Sequence, residues 1–279
     1  MIKRILLKRI IVWPPIIVLL LFLLYPLFIM LMGSFKTSIE LAANPAGLPS
    51  RFMLENYVTL FQYNAGIMTR AYFNSVFVST SFTILVIWMS SMAAFAFAKY
   101  QFKGRDIMFV LLLATMMVPP EINIPPLFIM FSNIGWLDTY QVQIFPGVAS
   151  VFAMFMFRQY MMSIPSTILE AARIDGAGHF KLYWQIMFPM IAPVAGALSI
   201  LTFLGKWNDY LWPVIMVRDR DFAPIMAILP TLNTRPDVWH IPWELVLAGC
   251  VVVTIPVMIV FFSFQDKFMS SVAIGAVKE

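Results

Sequence analysis

The sequence predicts an all-α integral membrane protein that crosses a bilayer about six times, on three observations. Hydrophobic residues make up 61% of its 279 residues and charged residues 12%. That charged share is about half that of an ordinary soluble domain, too little to cover a water-facing surface. Six stretches, residues 10–35, 71–98, 107–137, 139–157, 182–205 and 245–265, are uncharged except for Glu121. Each can supply the roughly 20 residues that a helix needs to cross about 30 Å of hydrocarbon. The basic residues, finally, gather at the ends of alternate stretches, the pattern that orients membrane helices.

The first stretch follows Lys3, Arg4, Lys8 and Arg9. Its apolar core is longer than a cleaved signal's, and no small-residue cleavage site follows closely, so it is expected to stay as the first span. A long outer loop, 34–70, leads to the second. The turn 99–105 then carries Lys99, Lys103 and Arg105. Short loops obey the positive-inside bias best, so this turn is expected in the cytoplasm. The third stretch holds Glu121 between Pro119-Pro120 and Pro125-Pro126. Prolines there should bend or open the helix. The fourth leads to a long inner segment, 158–181, and the fifth to an outer loop, 218–243. Within that loop an apolar run, 222–232, carries Pro224 and Pro230 and is too short to cross, so it is expected to rest near the membrane surface. With both termini inside, the cytoplasmic segments hold 12 of the 19 basic residues. The expected divisions are 1–70 (first span and outer loop), 71–265 (a five-helix core) and 266–279 (a cytoplasmic tail).

Several function classes fall away. The formal charge of +5 flanks apolar runs and forms no stripe, which excludes a nucleic-acid partner. The single cysteine, Cys250, sits in an apolar run and is expected to be a small buried residue; it can build no disulfide framework. Gly205-Lys206 is no phosphate cradle, because Ile200 stands where a P-loop needs glycine and Trp207 where it needs Ser or Thr. His179 and His240 fall on opposite sides of the membrane, so they form no metal site together. The 21 methionines suit pliable packing between helices. The chain is not expected to be an enzyme or to hold a cofactor or metal of its own.

The inner segment carries the most information. Ser163 and Pro165 suit a helix start, and Thr167 with Glu170 is an alternative cap. Ile164, Ile168, Ala171 and Ala172 fall on one helical face. Gly176 and Gly178 should end the helix or turn the chain, and a second short helix, about 180–187, should lead to Pro189. The segment reads either as a small-sided knob for a partner's groove, flanked by Glu170, Arg173 and Asp175, or as a solvated amphipathic linker.

Glu170-Ala171-Ala172, Asp175-Gly176-Ala177 and Ile186-x-x-Pro189 with Pro193 resemble the EAA loop, residues 158–189 here, of ABC importer permeases. Further marks resemble the carbohydrate-uptake, MalG-like, binding-protein-dependent branch. They are Asn74-Ser75, Ala94-Phe95-Ala96-Phe97-Ala98-Lys99, Met117-Val118-Pro119-Pro120, Leu137-Asp138-Thr139-Tyr140, Trp207-Asn208-Asp209-Tyr210-Leu211-Trp212-Pro213 and Gly275-Ala276-Val277-Lys278. Phe188 stands where the family usually has leucine. The resemblance implies a type I ABC importer permease core in the cytoplasmic (inner) membrane of a prokaryote. It implies a coupling helix in which Glu170, Ala171, Ala172, Asp175 and Gly176 dock on an ATPase. The implied partners are a second permease, two cytoplasmic ATPase subunits that bind the ATP and Mg, and an extracytoplasmic solute-binding protein, with lipid around the spans. The implied activity is uptake of a sugar or oligosaccharide by alternating access. Glycerol phosphate or a polyamine is the alternative cargo, and an ion-coupled secondary transporter the alternative class.

Four intramembrane or interfacial polar positions are candidates for the solute path. Glu121 reads as a wall of that path or as a helix end reaching the interface. Asn208 and Asp209 offer acceptors for sugar hydroxyls, and Trp207 a flat face for a sugar ring. The same three residues also suit an interfacial anchor.

Overall fold

The computed structural model describes residues 2–234 and 241–276, with side chains from Trp13 to Leu232 and from Ile241 to Gln265. His240 and the terminal Lys278 lie outside the described residues, as do the side chains of Lys3, Arg4, Lys8, Arg9 and Lys267. In chain order the helices are α1 (Ile2–Gly33), α2 (Ser38–Ala43), α3 (Glu55–Lys99), α4 (Arg105–Thr115), α5 (Ile124–Asn133), α6 (Tyr140–Ile144), α7 (Val151–Met162), α8 (Thr167–Ile174), α9 (His179–Lys181), α10 (Phe188–Met190), α11 (Ala192–Trp207), α12 (Leu211–Met216), α13 (Ile225–Ile228) and α14 (Trp243–Ala276). The turns Pro120–Asn123 and Leu229–Thr234 are 3-10, and Leu182–Met187 is a π-helical segment. The chain forms two compact units, Met1–Thr69 with Ile228–Ile255, and Arg70–Ala227 with Pro256–Glu279.

In the first unit, α1 is apolar all round from Trp13 to Gly33. Ile16, Leu21, Phe22 and Leu24 are all exposed, and only 6% of its most apolar window is buried. A helix of that kind needs lipid as its solvent. The residues after α1 are not the plain loop expected over 34–70. Thr37 caps α2 by accepting the Glu40 N–H at 3.2 Å. Lys36 is fully buried, and its Nζ donates to the Asn44 carbonyl at 2.6 Å. The Asn56 side chain donates to the carbonyls of Ser34 and Lys36, both at 2.8 Å. Buried polar groups must find such partners, and here the chain's own carbonyls supply them. The first part of α3 breaks at Tyr63, where Asn64, Ala65 and Gly66 all take positive φ, at 46°, 57° and 79°.

The second unit packs around Phe157, Met161, Leu182, Met187 and Ile191, all fully buried. Lipid is as apolar as these side chains, so close packing rather than escape from water holds the cluster together. α4 shows the division: Phe109 points inward while Ile107, Val110 and Leu111 are exposed.

By length and composition three helices can cross a membrane: Trp13–Gly33, Glu55–Lys99 and Trp243–Gln265. They cover the first, second and sixth expected stretches. The third becomes a bent pair, Arg105–Thr115 and Pro120–Asn133, at 87°. The bend falls at Pro119-Pro120, where the prolines remove donors. The fifth is also bent, by 76° between His179–Met190 and Ala192–Trp207, with Pro193 in the first turn of α11. The fourth stretch divides into α6 and α7 around Pro146 and Gly147, whose φ is 87°. Ser150 restarts the helix by accepting the Ala153 N–H at 3.2 Å.

Two further expectations are corrected. The run 222–232 is not a plain loop: it forms α13 and a 3-10 turn, and Ala223, Ile225 and Leu232 are buried. Cys250 is only half-buried.

Candidate functional site

Three sets of polar residues in the second unit are built by the fold. The first follows α7. The expected caps of the next helix do other work: the Ser163 hydroxyl donates to the Tyr160 carbonyl at 2.7 Å. Ser166 stands at the N-cap of α8 without a side-chain cap bond, while its carbonyl accepts from Leu169 and Glu170, both at 3.0 Å. The expected apolar face holds in part: Ile164 and Ala172 pack on the core, while Ile168 and Ala171 do not. Leu169, 3% exposed, is the anchor, with Ala172 packed against the same core. Ile168, Ala171 and Ile174 turn outward, and Ile174 is 87% exposed. Helical spacing alone cannot say which of two adjacent apolar stripes finds a partner.

The glycine corner is present. Gly176 has φ 82°. Its N–H donates to the Arg173 carbonyl at 3.0 Å, and the Ala177 N–H to the Ala172 carbonyl at 2.9 Å. This is a Schellman ending, which satisfies carbonyls that a helix end leaves open and requires a left-handed residue. The corner is pinned to the end of α3. The Tyr100 hydroxyl and His179 Nδ1 share a 2.7 Å hydrogen bond, the Arg173 guanidinium lies 5.6 Å over the Tyr100 ring, and Lys99 Nζ donates to the Ile164 carbonyl at 2.6 Å. Arg158 lies 4.0 Å over the Phe109 ring and 3.9 Å from Asp106. The sequence marks Lys99 for topology and as part of a family string, but gives it no partner and gives Tyr100 no role. No spacing rule links residues 65 or 79 positions apart.

The second set lines an open cavity of about 800 Å³. Phe82 and Val86 of α3, the bend at Pro120–Asn123, the break at Gly147 and Ser150, and Leu198, Thr202 and Lys206 of α11 contribute to its wall, with Asp209 and Trp212. Glu121 and Asp209 therefore come together around one space. Trp207 does not serve as an open platform. It is 1% exposed, stacked on Phe203 at 5.7 Å and edge-on to Tyr72 at 5.9 Å. Asn208 is exposed just past α11. Asp209 accepts from Lys206 Nζ at 3.0 Å and from the Trp212 N–H at 3.3 Å.

The third set was not expected as a unit. Asn74 Nδ2 donates to the carbonyls of Asp221 and Ala223 at 2.8 and 3.1 Å, and its Oδ1 accepts from the Tyr140 hydroxyl at 2.7 Å. Ser75 Oγ accepts from the Ile225 N–H at 2.7 Å, Gln143 Nε2 donates to the Phe222 carbonyl at 3.0 Å, and Asp138 accepts the N–H groups of Arg218 and Asp219. Arg70 pairs with Asp221. Four side chains, Asn74, Ser75, Asp138 and Gln143, thus hold the backbone of residues 218–225, and Arg70 holds the Asp221 side chain.

The profile of the family described as "Binding-protein-dependent transport system inner membrane component" matches residues 86–273. The chain belongs to that family, the permeases of ABC importers. It is 37% identical to the arabinooligosaccharides transport system permease protein AraQ of Bacillus subtilis over 91% of this chain and 90% of that one. It is 34% identical to the diacetylchitobiose uptake system permease protein NgcG of Streptomyces coelicolor, over 90% of this chain and 82% of that one. Among solved structures, a chain of a bacterial ABC transporter involved in the import of the acidic polysaccharide alginate superposes with a TM-score of 0.81 at 22% identity, covering 94% of this chain and 96% of that one. The fold is therefore that of an ABC importer permease, and the chain is a component of a transport system rather than a catalyst.

Proposed function

We propose that the chain is one permease of an importer for a neutral sugar or oligosaccharide, and forms half of the solute path with a second, different permease. The observation that carries this is the likeness over nearly the whole chain to permeases named for oligosaccharide uptake. The cavity holding Glu121 and Asp209 is the path; Asn208 is exposed next to Asp209 in the chain, and Trp207 is buried. Three long helices and two bent pairs give up to five crossings; the reading takes the broken α6–α7 stretch as the sixth, and the bias of basic residues places both termini in the cytoplasm. ATP and Mg are bound by two partner ATPase subunits. Their docking surface is the corner at Glu170, Ala171, Ala172, Asp175 and Gly176, with Ala171 and Ile174 foremost because the fold leaves both exposed. ATP-driven closure of the ATPases moves that corner. The core clamped to it through Lys99 and Tyr100 then rocks to open the path to the solute-binding protein, and hydrolysis reverses the motion.

Uptake in proteoliposomes holding this chain with its partner permease, ATPases and binding protein tests the cargo. Radiolabelled pentose or hexose oligosaccharides are expected to accumulate only with ATP, and accumulation of glycerol phosphate or a polyamine in their place would overturn the sugar reading. A second experiment checks orientation. Reporters fused after Lys103 or Gly178 are expected to signal cytoplasm, and reporters near Leu54 or Asn233 the outside. A cytoplasmic signal at Asn233 would refute the six-crossing arrangement.

A further inference from the structure

We propose that the Lys206–Asp209 pair sets the charge preference of the cavity, so that this half of the path favours uncharged solutes and disfavours anionic ones such as phosphate esters or uronate chains. The inference rests on the reading of the cavity as solute path. Among the described residues that line it, the ionisable ones are Glu121, Lys206 and Asp209. Lys206 is the cation of the three, and an ammonium on a cavity wall is the natural counter-ion for an anionic solute.

Here that ammonium is already matched. Lys206 Nζ lies 3.0 Å from Asp209 Oδ2, and the two side chains are only 9% and 23% exposed. The other carboxylate oxygen accepts the Trp212 N–H, which fixes the carboxylate in place. The Phe82 ring lies 5.3 Å from Nζ on a further side and adds the attraction of an aromatic face for a cation. A nearly buried ammonium without a partner would be strongly unfavourable, so the pair holds together. The remaining formal charge on the wall is the exposed Glu121 carboxylate. The wall is therefore net negative, while Asn123, Ser150 and Thr202 bring uncharged polar groups to it. Such a lining can meet hydroxyls and repels anions. The rival account makes the pair a brace at the end of α11, with no effect on the potential in the cavity.

The test reads that potential directly. In the assembled importer, with Cys250→Ala and the other cysteines of the complex replaced, Thr202→Cys places a thiol on the wall. Its rates of modification by a cationic and an anionic methanethiosulfonate of equal size are measured, each relative to a small free thiol. The cation-to-anion ratio is expected to exceed one. Asp209→Asn should lower it on the order of a hundredfold, because a unit charge near 10 Å at an effective dielectric of about 20 changes each reagent's rate by roughly tenfold, in opposite directions for cation and anion. Lys206→Met should raise it by a similar factor. The double variant Lys206→Met/Asp209→Asn should return it to the starting value, an outcome that a disrupted fold cannot imitate. If Asp209→Asn fails to assemble, Lys206→Met and the double variant carry the test. An unmoved ratio in the single variants, or a double variant that fails to restore it, overturns the charge preference and leaves the path reading standing. Absence of modification by either reagent would show the cavity closed to water, which defeats the path reading and the inference together.

Discussion

Gly176→Val is expected to strip the ATPase subunits from the purified complex by about tenfold or more, while Gly176→Asn keeps most of them bound. The corner turns at a φ of 82°, a region where a β-branched residue is a true outlier and Asn is tolerated. A Cβ added at Gly176 would meet nothing within 4 Å in this chain. The damage therefore comes from the backbone, not from crowding inside the subunit. Forcing a side chain into left-handed geometry costs on the order of 1–2 kcal/mol, and relief comes by moving Ala177 and breaking the Schellman bonds. That displaces Ala171 and Ile174, the outward residues, and spares the core at Phe157 and Met187. Co-purification of the ATPases and solute-stimulated ATP hydrolysis measure the effect. Normal values for both in Gly176→Val would show that this corner is not the coupling surface.

The same geometry chooses the better crowding variant. Ala172 packs against the core and Ala171 is exposed. Ala171→Trp therefore enlarges the docking face alone, whereas Ala172→Trp would also overpack the subunit itself. Glu170→Lys reverses a charge at the rim, so its effect should depend on salt.

What was legible in the sequence follows from which interactions are local. The runs that became α1, α3 and α14 announce themselves by length and lack of charge, because a helix in lipid must satisfy its own backbone. The bend at Pro119-Pro120 and the corner at Gly176 were readable for the same reason: proline lacks a donor and glycine alone takes positive φ at no steric cost. The inward face of α8 was not readable. Ile168 and Leu169 are adjacent and equally apolar, and tertiary packing chose Leu169. Trp207 looked like an interfacial ring until Phe203 and Tyr72 covered it. Lys36 lies in a stretch expected as a plain loop, yet it is fully buried and donates to the carbonyls of Asn44 and Pro45. Each miss is a side chain whose partner is set by packing or by a distant carbonyl.

Asn74 is the largest such case, and Asn74→Leu is expected to release residues 218–225. The Asn74 side chain is 4% exposed and makes three hydrogen bonds, to the Asp221 and Ala223 carbonyls and from the Tyr140 hydroxyl. Leucine fills similar volume and pairs with none of them. Each polar group left buried and unpaired costs about 1–3 kcal/mol, so the local opening free energy should fall by roughly 2–4 kcal/mol, allowing for partial rehydration of the exposed Asp221. Hydrogen exchange reads this out. Amides from Asp219 to Ile225 should exchange on the order of a hundredfold faster or more, while those from Thr167 to Ala177 keep their native rates. Asn74→Asp keeps the acceptor for Tyr140 but loses both donors, so it should fall close to the leucine variant. Serine at neighbouring position 75 separates the roles: Ser75→Ala removes one acceptor, for the Ile225 N–H, and should speed exchange at Ile225 more than at Asp221. Native exchange across 218–225 in Asn74→Leu would show that Asp138, Gln143 and Arg70 hold the segment without it, and that the asparagine is packing rather than a hub.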